Sequence, residues 1–488
     1  MQDVRFFNMK KRISFFFFVI VLILQGCKDD DSFTTSADAR LTFGTDTVRI
    51  DTVFSTVPSS TYSFWVYNHN SDGVRIRQVR LVRGNQTGFR VNVDGLYLDN
   101  LHGSFVNDLE LRGGDSLRVF VEITSSKTGE KTPRLVEDDL AFILESGVEQ
   151  RIRMKAYSWD ATFIRNLKVS RDTTIVSDIP IVVYGGITVD SVATLTIKAP
   201  TKLYFHSGAG IDVYGRLVAD SVEMRGDRLD HMFSYLPYDR VSGQWKGIRI
   251  FGSSTNNVIR DSDIHSCDYG VVVDSAALDT LQPRLTMSYS TIHNCKGVGV
   301  SAKQSNIVLV NCQLSNTSSD CLAVYGGMAT VVYCTLAQFY PLSGERGAAL
   351  RFTNYFDGVS SPLKGLYCQN TLITGYDSDV IMGQKKDSVA FSYYFENCLL
   401  RTPEPTDTVL LKQSFANIIW EKSTDDVQGI KHFRSIMEHD MIYDFHLDSL
   451  STAVGKAVKQ PAVLDDRNHF QRNDTLPSIG CYEYRKAK

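Results

Sequence analysis

A phrase that recurs at short intervals in the C-terminal half is the sequence feature that most constrains the fold. The segment Ile264-His265-Ser266-Cys267 returns as Ile292-His293-Asn294-Cys295. A period near 22 residues with three short apolar strands per repeat is typical of a parallel β-helix, in which stacked rungs bury one continuous core. The apolar anchor of the repeat, at steps of 28, 22, 22, 36 and 27 residues, falls on Ile264, Ile292, Leu314, Leu336, Leu372 and Leu399.

Two other repeat architectures agree less well with this pattern. A leucine-rich repeat requires a sustained Leu-x-x-Leu-x-Leu phrase, and a propeller requires a period of about 40 residues. The longer steps indicate loops inserted around 339–346 and 354–363, where loops often shape a binding face. We predict the β-helix over 180–430, a linker over 161–179 before it, and C-terminal rungs with a cap over 431–488.

The N-terminal half predicts a different all-β domain. Residues 41–160 alternate apolar and polar side chains with period two, and turn residues separate the runs at intervals of about ten residues. This spacing predicts an immunoglobulin-like β-sandwich. No cysteine lies between Cys27 and Cys267, so an antibody-like core disulfide is excluded. The clearest strands are Val48–Phe54, Tyr62–Tyr67, Val74–Val79, Leu117–Val121 and Ile152–Ala156.

The first 26 residues have the order of a targeting segment. Three basic residues at 10–12 precede the apolar run Ile13–Leu24, which suits a signal peptide and is too short to span a bilayer. The run ends in Leu24-Gln25-Gly26-Cys27, which resembles the lipobox of bacterial lipoproteins. The resemblance implies a signal peptide over 1–26 and acylation of Cys27. The alternative is a short signal-anchor in which the cysteine occurs by chance.

The residues after Cys27 indicate a destination. Lys28-Asp29-Asp30-Asp31 resembles the acidic export signal of Bacteroidota surface lipoproteins. We therefore expect a lipidated acidic tether over 27–40 and a protein anchored in the outer membrane and exposed on the cell surface. A charged tether also holds a protein away from a membrane whatever its destination, so this alternative stays open.

The β-helix region resembles the right-handed parallel β-helix proteins of pectin-lyase-like fold. The resemblance rests on Tyr184–Val189, on Gly243–Ile248 and on two C-terminal phrases. Leu447–Ala453 is similar to the family's Leu-x-x-x-Ser-Pro-Ala phrase, with Thr452 in place of proline. Ile479–Tyr484 is similar to its Ile-Gly-Ala-Tyr-Glu phrase, with cysteine in place of alanine. The resemblance implies the fold over about 180–488 and no particular activity, because this fold hosts lyases, hydrolases and adhesins.

Cysteines fall at equivalent positions of successive rungs. Cys267 and Cys295 share one position, and Cys312 and Cys334 share another. Stacked small apolar side chains predict an inward ladder of free thiols. Neighbouring asparagines are expected at left-handed corners. Disulfides are the alternative, because rung spacing allows the distance, although stacked side chains point the same way. No Cys-x-x-Cys spacing supports a zinc site at these cysteines.

One outward stripe carries the candidate chemistry. If Ile264 points into the core, then Asp261, Asp263 and His265 point outward, and His293 lies one rung beyond His265. Two carboxylates and two imidazoles can supply acid–base groups, and carboxylates can bind calcium. A solvated strand face is the alternative, since any exposed strand meets the spacing test.

Charge and motifs limit the function classes. The formal net charge of −3, from 52 basic and 55 acidic side chains, argues against a nucleic-acid-binding protein. No phosphate loop, nucleophile elbow or His-Glu-x-x-His motif is present. We therefore expect a monomeric, non-catalytic protein, with no cofactor or metal, whose β-helix binds glycan or envelope or host surface material. The alternatives are a polysaccharide lyase (with Ca²⁺) or a glycoside hydrolase, and a structural envelope protein that binds a partner protein.

Overall fold

The computed structural model describes residues 32–98, 103–421 and 429–486. The predicted signal peptide, Cys27 and the acidic residues after it lie outside the described residues. Within the described part, no helix is long and apolar enough to cross a membrane. The chain divides into two units, one reaching Lys127 and including Arg134–Ser158, the other comprising Thr128–Pro133 and the chain from Trp159 onward.

The first unit is a β-sandwich, which confirms the prediction for this half of the chain. Alternation buries Leu117, Val119 and Val121 and leaves Arg118 and Phe120 exposed, so each strand presents one apolar face to the other sheet. One sheet contains Phe33–Thr34, Thr47–Phe54, Gly73–Leu81, Phe105–Leu111, Arg134–Leu144 and Glu149–Trp159. The other contains Thr42–Phe43, Tyr62–Tyr67, Phe89–Val93, Leu96–Leu98 and Ser116–Ile123.

The sandwich begins earlier than the predicted boundary at residue 41. Phe33–Thr34 pairs in parallel with Gly73 and Val74 at the edge of the first sheet. The ring of Phe33 also lies 4.6 Å from the guanidinium of Arg75. Part of the expected tether over 27–40 is therefore a strand of the domain. This strand has only two residues, so the sequence shows no alternation that would indicate it.

The second unit is a parallel β-helix with three faces, and this confirms the all-β fold class. Each face is a column of short strands, and each strand pairs in parallel with its equivalent in the next rung. Four longer strands bend across a corner and contribute to two faces: Thr162–Val169 and Ile181–Val189 to faces A and B, and Val300–Val310 and Leu322–Val332 to faces B and C.

The remaining strands belong to one face each. Face A contains Lys202–Phe205, Glu223–Gly226, Asp263–His265, Thr291–Cys295, Gln313–Thr317, Thr335–Gln338, Leu372–Gly375, Leu399–Leu400 and Ile419–Trp420. Face B contains Ile211–Val213, Ile248–Ile250, Val271–Val273, Leu350–Thr353 and Ile381–Gln384. Face C contains Thr173–Ile175, Thr194–Lys198, Arg216–Asp220, Asn257–Arg260, Leu285–Ser288, Leu363–Gln369, Phe391–Glu396 and Phe415–Ala416.

Among the described residues, three hairpins, one α-helix and three 3₁₀ turns lie outside these columns. The hairpins pair His231–Phe233 with Leu236–Pro237, Tyr355–Phe356 with Val359–Ser360, and Phe433–Met437 with Ile442–Leu447. The α-helix Thr408–Ser414 replaces a face B strand in the last rung, and the side chain of Asp407 caps it. The 3₁₀ turns are Gly84–Gln86, Tyr238–Arg240 and Ile430–His432.

The β-helix begins at the residues where the sequence predicts a linker. Thr162–Val169 pairs in parallel with Ile181–Val189, and Thr173–Ile175 pairs with Thr194–Lys198. Residues 161–179 are therefore largely the first rung of the β-helix. Few of their side chains are buried, because this end rung has a neighbour on one side only.

The predicted register is confirmed in the middle rungs and wrong by one residue further on. Ile264, Ile292, Leu314 and Leu336 stack on one another inside the core. In the next two rungs, however, Leu336 pairs with Ile373 and Ile373 pairs with Leu400. Leu372 and Leu399, the predicted anchors, therefore point outward. The sequence is ambiguous here because both faces of these strands are buried.

The residues after 429 cover face A from outside and form no further rung. We call 429–486 the C-terminal segment. The sequence predicted further rungs and an end cap over 431–488, whereas this segment lies along the side of the β-helix. Outward Leu372 and Leu399 belong to a buried cluster with Phe433, Phe445 and Leu447 of this segment. The segment then runs back along the β-helix toward earlier rungs. Its successive contacts are Val458 with the side-chain amide of Asn370, Tyr482 donating to the side chain of Gln313, and His469 with Asp261.

Candidate functional site

Three side chains predicted from the repeat converge on face A. Asp263 and His265 lie on one strand, and His293 pairs with His265 in the next rung. Oδ1 of Asp263 is 2.8 Å from Nδ1 of His265 and 3.3 Å from Nε2 of His293. The two imidazole rings stack with centroids 4.7 Å apart and planes at 17°. We call Asp263, His265 and His293 the Asp–His–His cluster.

The core beneath the cluster fixes its geometry. Ile264 and Ile292 point inward and are fully buried, so the alternate residues of both strands must face outward. The indole of Trp245 stacks on Phe205 with ring centroids 4.2 Å apart, and its Nε1 donates to the carbonyl oxygen of His265 at 2.8 Å. A rigid, buried tryptophan thus holds the main chain that carries His265.

The cluster is open to solvent on one side. The side chains of Asp263, His293 and His265 are 41%, 25% and 9% exposed. Burial disfavours the charged form of Asp263, but the two imidazoles outweigh it and hold the pKa of this carboxyl well below its usual range. Burial lowers the pKa of His265 despite the attraction of Asp263. Ionised Asp263 therefore lies beside an imidazole that is neutral near pH 7.

Asp261, the fourth predicted member, lies outside the cluster. Its backbone has φ 49°, in the left-handed region, because it occupies the corner between faces C and A. Its carboxylate contacts His469 of the C-terminal segment at 2.5 Å and Arg260 at 3.5 Å. Asp261 therefore faces the C-terminal segment outside the β-helix, and its pairing with His469 separates it from the three other predicted side chains.

An inserted segment borders the cluster on one side. Met224 and Ile264 pair directly although they are 40 positions apart, so this rung carries about 18 residues beyond the repeat of 22. Most of the extra chain lies within 227–247, which we call the inserted segment. Ser266 Oγ donates to the carbonyl oxygen of Asp239 in this segment, directly beside His265. Only the length of this rung could have indicated the insertion. The insertion precedes the first copy of the repeated phrase, so that length could not be measured from the sequence.

The two predicted insertions lie at different corners. The segment after Gln338 lies at the corner between faces A and B, where the hydroxyl of its Tyr340 is 2.9 Å from Ser242 Oγ of the inserted segment. The segment 354–362 forms a hairpin between faces B and C instead. The two insertions therefore do not shape one common face. Among the described residues, only the first insertion contacts the inserted segment that borders the cluster.

The C-terminal segment borders the cluster on the other side. Nε of Arg467 donates to Thr291 Oγ1 at 3.2 Å, and Thr291 is the strand partner of Asp263. His446 packs against Tyr482 with ring centroids 4.1 Å apart. Nδ1 of His446 lies 2.5 Å from Asp444, and hydrogen bonding to His446 lowers the pKa of that carboxyl. Sequence analysis did not find this second Asp–His pair, which follows no rung repeat.

All eight cysteines from Cys267 to Cys481 are buried and have free thiols. The sulfurs of Cys267 and Cys295 are 3.4 Å apart in adjacent rungs. Cys312 and Cys334 occupy another ladder position, where each thiol donates to a carbonyl oxygen two residues earlier. The corner residues beside them have positive φ, and these are Asn294, Asn311, Asn370 and Asn397.

The arrangement allows two kinds of chemistry. An ionised carboxylate and a partly exposed imidazole can accept and donate protons to a bound molecule. Two imidazole nitrogens and one carboxylate oxygen that all lie within 4.8 Å of one another can also serve as metal ligands. The spacing of histidines and cysteines in the sequence does not indicate this ligand set, because its third member is the carboxylate of Asp263.

A family model supports the fold of the second unit. Residues 152–336 match the family model described as "Right handed beta helix region", which assigns the hand of the β-helix. The N-terminal domain of PorA is 13% identical, covering 24% of this chain and 97% of its own, with a TM-score of 0.19. The catalytic unit of a thermostable GH87 alpha-1,3-glucanase from Streptomyces thermodiastaticus strain HF3-3 is 10% identical, covering 73% of this chain and 89% of its own, with a TM-score of 0.27. No curated protein matches the sequence significantly.

Proposed function

We propose that this protein is a lipid-anchored outer-membrane protein that binds polysaccharide at the cell surface without cleaving it. The binding site would extend over face A from the Asp–His–His cluster to the inserted segment. The lipobox-like Cys27 and the aspartates after it support the address.

An exposed aromatic pair on the inserted segment carries this proposal. Phe233 and Tyr235 of the inserted segment are 56% and 49% exposed, and their rings stack with centroids 5.8 Å apart. Large exposed apolar rings that lie together mark interaction surfaces. Their flat faces suit the apolar faces of sugar rings, while Asp263 and His293 can hydrogen bond to hydroxyl groups.

Binding to a panel of polysaccharides tests the proposal. The full chain, purified in detergent, is titrated with neutral and uronic-acid polysaccharides by calorimetry, and products are analysed in parallel. We expect binding without cleavage, weakened about tenfold or more in a Phe233→Ala/Tyr235→Ala variant. Tyr97→Ala, which removes an exposed aromatic ring from the sandwich, is the matched control and should bind normally. Absence of binding, with co-purification of a partner protein, would contradict the proposal.

A second candidate function is cleavage of the bound polysaccharide, and the hydrogen-bonded Asp263 and His265 with adjacent His293 favour it. Unsaturated products would identify a lyase, and new reducing ends without unsaturation would identify a hydrolase. Either activity should be lost in His293→Gln, which keeps a polar side chain of similar length. Product formation that is unchanged in this variant would exclude the cluster as its source.

The anchor is tested separately. Cys27→Ala should abolish incorporation of labelled fatty acid, and protease added to intact cells should degrade the protein that carries Cys27. Continued labelling of the variant, or full protection from protease, would contradict the lipid anchor or the surface location respectively.

A further inference from the structure

We propose that Asp263, His265 and His293 bind one divalent transition-metal ion of the zinc class. Imidazole nitrogen together with a single carboxylate is a donor set for zinc and its first-row neighbours, whereas calcium and magnesium require mostly oxygen ligands. This inference is independent of the proposed polysaccharide binding, because it depends only on the three donor atoms and on the elements that hold them.

The donor atoms lie close to the separations that a bound ion requires. Oδ1 of Asp263 lies 2.8 Å from Nδ1 of His265 and 3.3 Å from Nε2 of His293. Two ligands of a tetrahedral zinc ion, each about 2.0–2.1 Å from the metal, are roughly 3.3 Å apart. One ligand atom of each side chain falls within 4.8 Å of the others, so small rotations of the side chains would complete the set.

The scaffold makes this geometry rigid. His265 and His293 are direct partners in parallel strands, and their stacked rings approach the carboxylate from two adjacent rungs. Buried Trp245 donates to the main chain of His265. Sites carried on regular strands hold ligands more firmly than sites on loops, so little conformational entropy is lost when the ion binds.

A guanidinium in the preceding rung, that of Arg225, has acceptors of its own. Its Nη1 lies 3.8 Å from Oδ2 of Asp239, and its Nη2 donates to the carbonyl oxygen of Arg228 at 3.0 Å. The guanidinium carbon also lies 5.7 Å from the ring centre of Tyr204. Arg225 is therefore held by groups other than Asp263.

The exposure of the cluster indicates the type of site. Asp263 and His293 are partly exposed while His265 is almost buried. Three protein ligands facing solvent leave at least one coordination position open, as in zinc sites that bind an exchangeable molecule. A closed structural site would need a fourth protein ligand, and the metal-ligand group found among the described residues has three.

Metal titration of the full chain tests this inference. Protein stripped with a chelator is titrated with Zn²⁺ by calorimetry and with Co²⁺ by visible spectroscopy, and bound metal is counted by mass spectrometry. We expect one equivalent of Zn²⁺ per chain, competition by Co²⁺, and no comparable response to Ca²⁺. His293→Ala and Asp263→Asn should each weaken binding about tenfold or more, since even outer-shell partners contribute that much.

His439→Ala is the matched control, because it removes an exposed histidine of the same unit without touching the cluster. Circular dichroism and melting temperature verify that each variant is folded. Failure of the folded wild-type chain to bind Zn²⁺ would overturn the inference, and so would equal binding by His293→Ala and the control.

Discussion

Nε2 of His469 lies 2.5 Å from Oδ1 of Asp261, although the two residues are 208 positions apart in the chain. Nδ1 of the same imidazole is 3.1 Å from Asp465, and its ring stacks on Tyr289 with centroids 4.6 Å apart. This contact fastens the C-terminal segment to the corner that precedes the Asp–His–His cluster. Asp261, one of the four candidates for acid–base chemistry, thus helps to hold the C-terminal segment against the β-helix.

The His469 contact makes attachment of the C-terminal segment dependent on pH. The hydrogen bond to Asp261, followed by that to Asp465, raises the pKa of His469 above its ordinary value of about 6.5. The stabilisation is therefore complete below about pH 6.5 and is lost as pH rises through the raised pKa. We expect His469→Ala to lower the free energy of unfolding by about 1 kcal/mol at most, since the side chain is 53% exposed.

Urea unfolding at about pH 5.5 and about pH 8.5 measures this effect. The difference between wild type and His469→Ala should be larger at the acidic pH, whereas His439→Ala should show little difference at either. A larger difference at the alkaline pH would contradict the assigned charge.

A pair of asparagine corners separates backbone strain from attachment of the C-terminal segment. Asn370 and Asn397 occupy equivalent corners with φ 52° and 50°. Asn370 also accepts from the amide of Val458 at 2.9 Å and donates to its carbonyl oxygen at 2.8 Å. Glycine adopts this φ freely, so Asn397→Gly should be nearly neutral, whereas Asn370→Gly should cost about 1–3 kcal/mol through its lost hydrogen bonds.

Thermal unfolding combined with hydrogen exchange of the chain around Val458 measures these effects. Asn397→Ala provides a further comparison and should cost about 1–2 kcal/mol, because alanine is disfavoured in the left-handed region. Equal costs for the two glycine variants would show that the contacts to Val458 contribute nothing to stability.

The thiols give a direct test of the cysteine ladder. Burial raises the pKa of Cys321, Cys398 and Cys481 to about 12, and buried thiols are poor nucleophiles. In the native Cys27→Ala protein we expect no reaction of the eight remaining cysteines with a thiol reagent. After denaturation without reductant, all eight should react. A count of six or fewer would establish a disulfide and decide for the alternative that the sequence left open.

The middle of the repeat could be predicted from sequence because one side of each strand is apolar and the other polar. Asp263 and His265 alternate with Ile264, and this alternation was sufficient to bring the Asp–His–His cluster together. At Leu372 and Ile373 both sides are apolar, because the C-terminal segment buries the outer side. Periodicity alone cannot determine the register of such a strand.

The walls of the site could not be predicted in the same way. Arg467 and His469 contact the β-helix across more than 150 positions of the chain, and no local sequence pattern indicates such contacts. The inserted segment was missed for another reason. Its rung begins before the first repeat of the Ile-His-x-Cys phrase, so the sequence offered no earlier copy with which to measure its length.

Trp245 is expected to support both the core and the cluster. Its ring is fully buried against Phe205, and its Nε1 donates to the carbonyl oxygen of His265. Trp245→Phe preserves most of the stacking but leaves this buried carbonyl without its donor, so we expect a loss of about 1–3 kcal/mol. Trp245→Ala should cost about 3–5 kcal/mol, since it also leaves a cavity.

Chemical unfolding gives these losses, and nuclear magnetic resonance of the His265 and His293 rings reports on the cluster. The ring signals should shift in Trp245→Phe, because the main chain of His265 is no longer held in place. Trp65→Phe, at an exposed position in the sandwich, should cost less than about 0.5 kcal/mol and leave those signals unchanged. If Trp245→Phe were as mild as this control and moved neither ring signal, the bond to His265 would have no part in positioning the cluster.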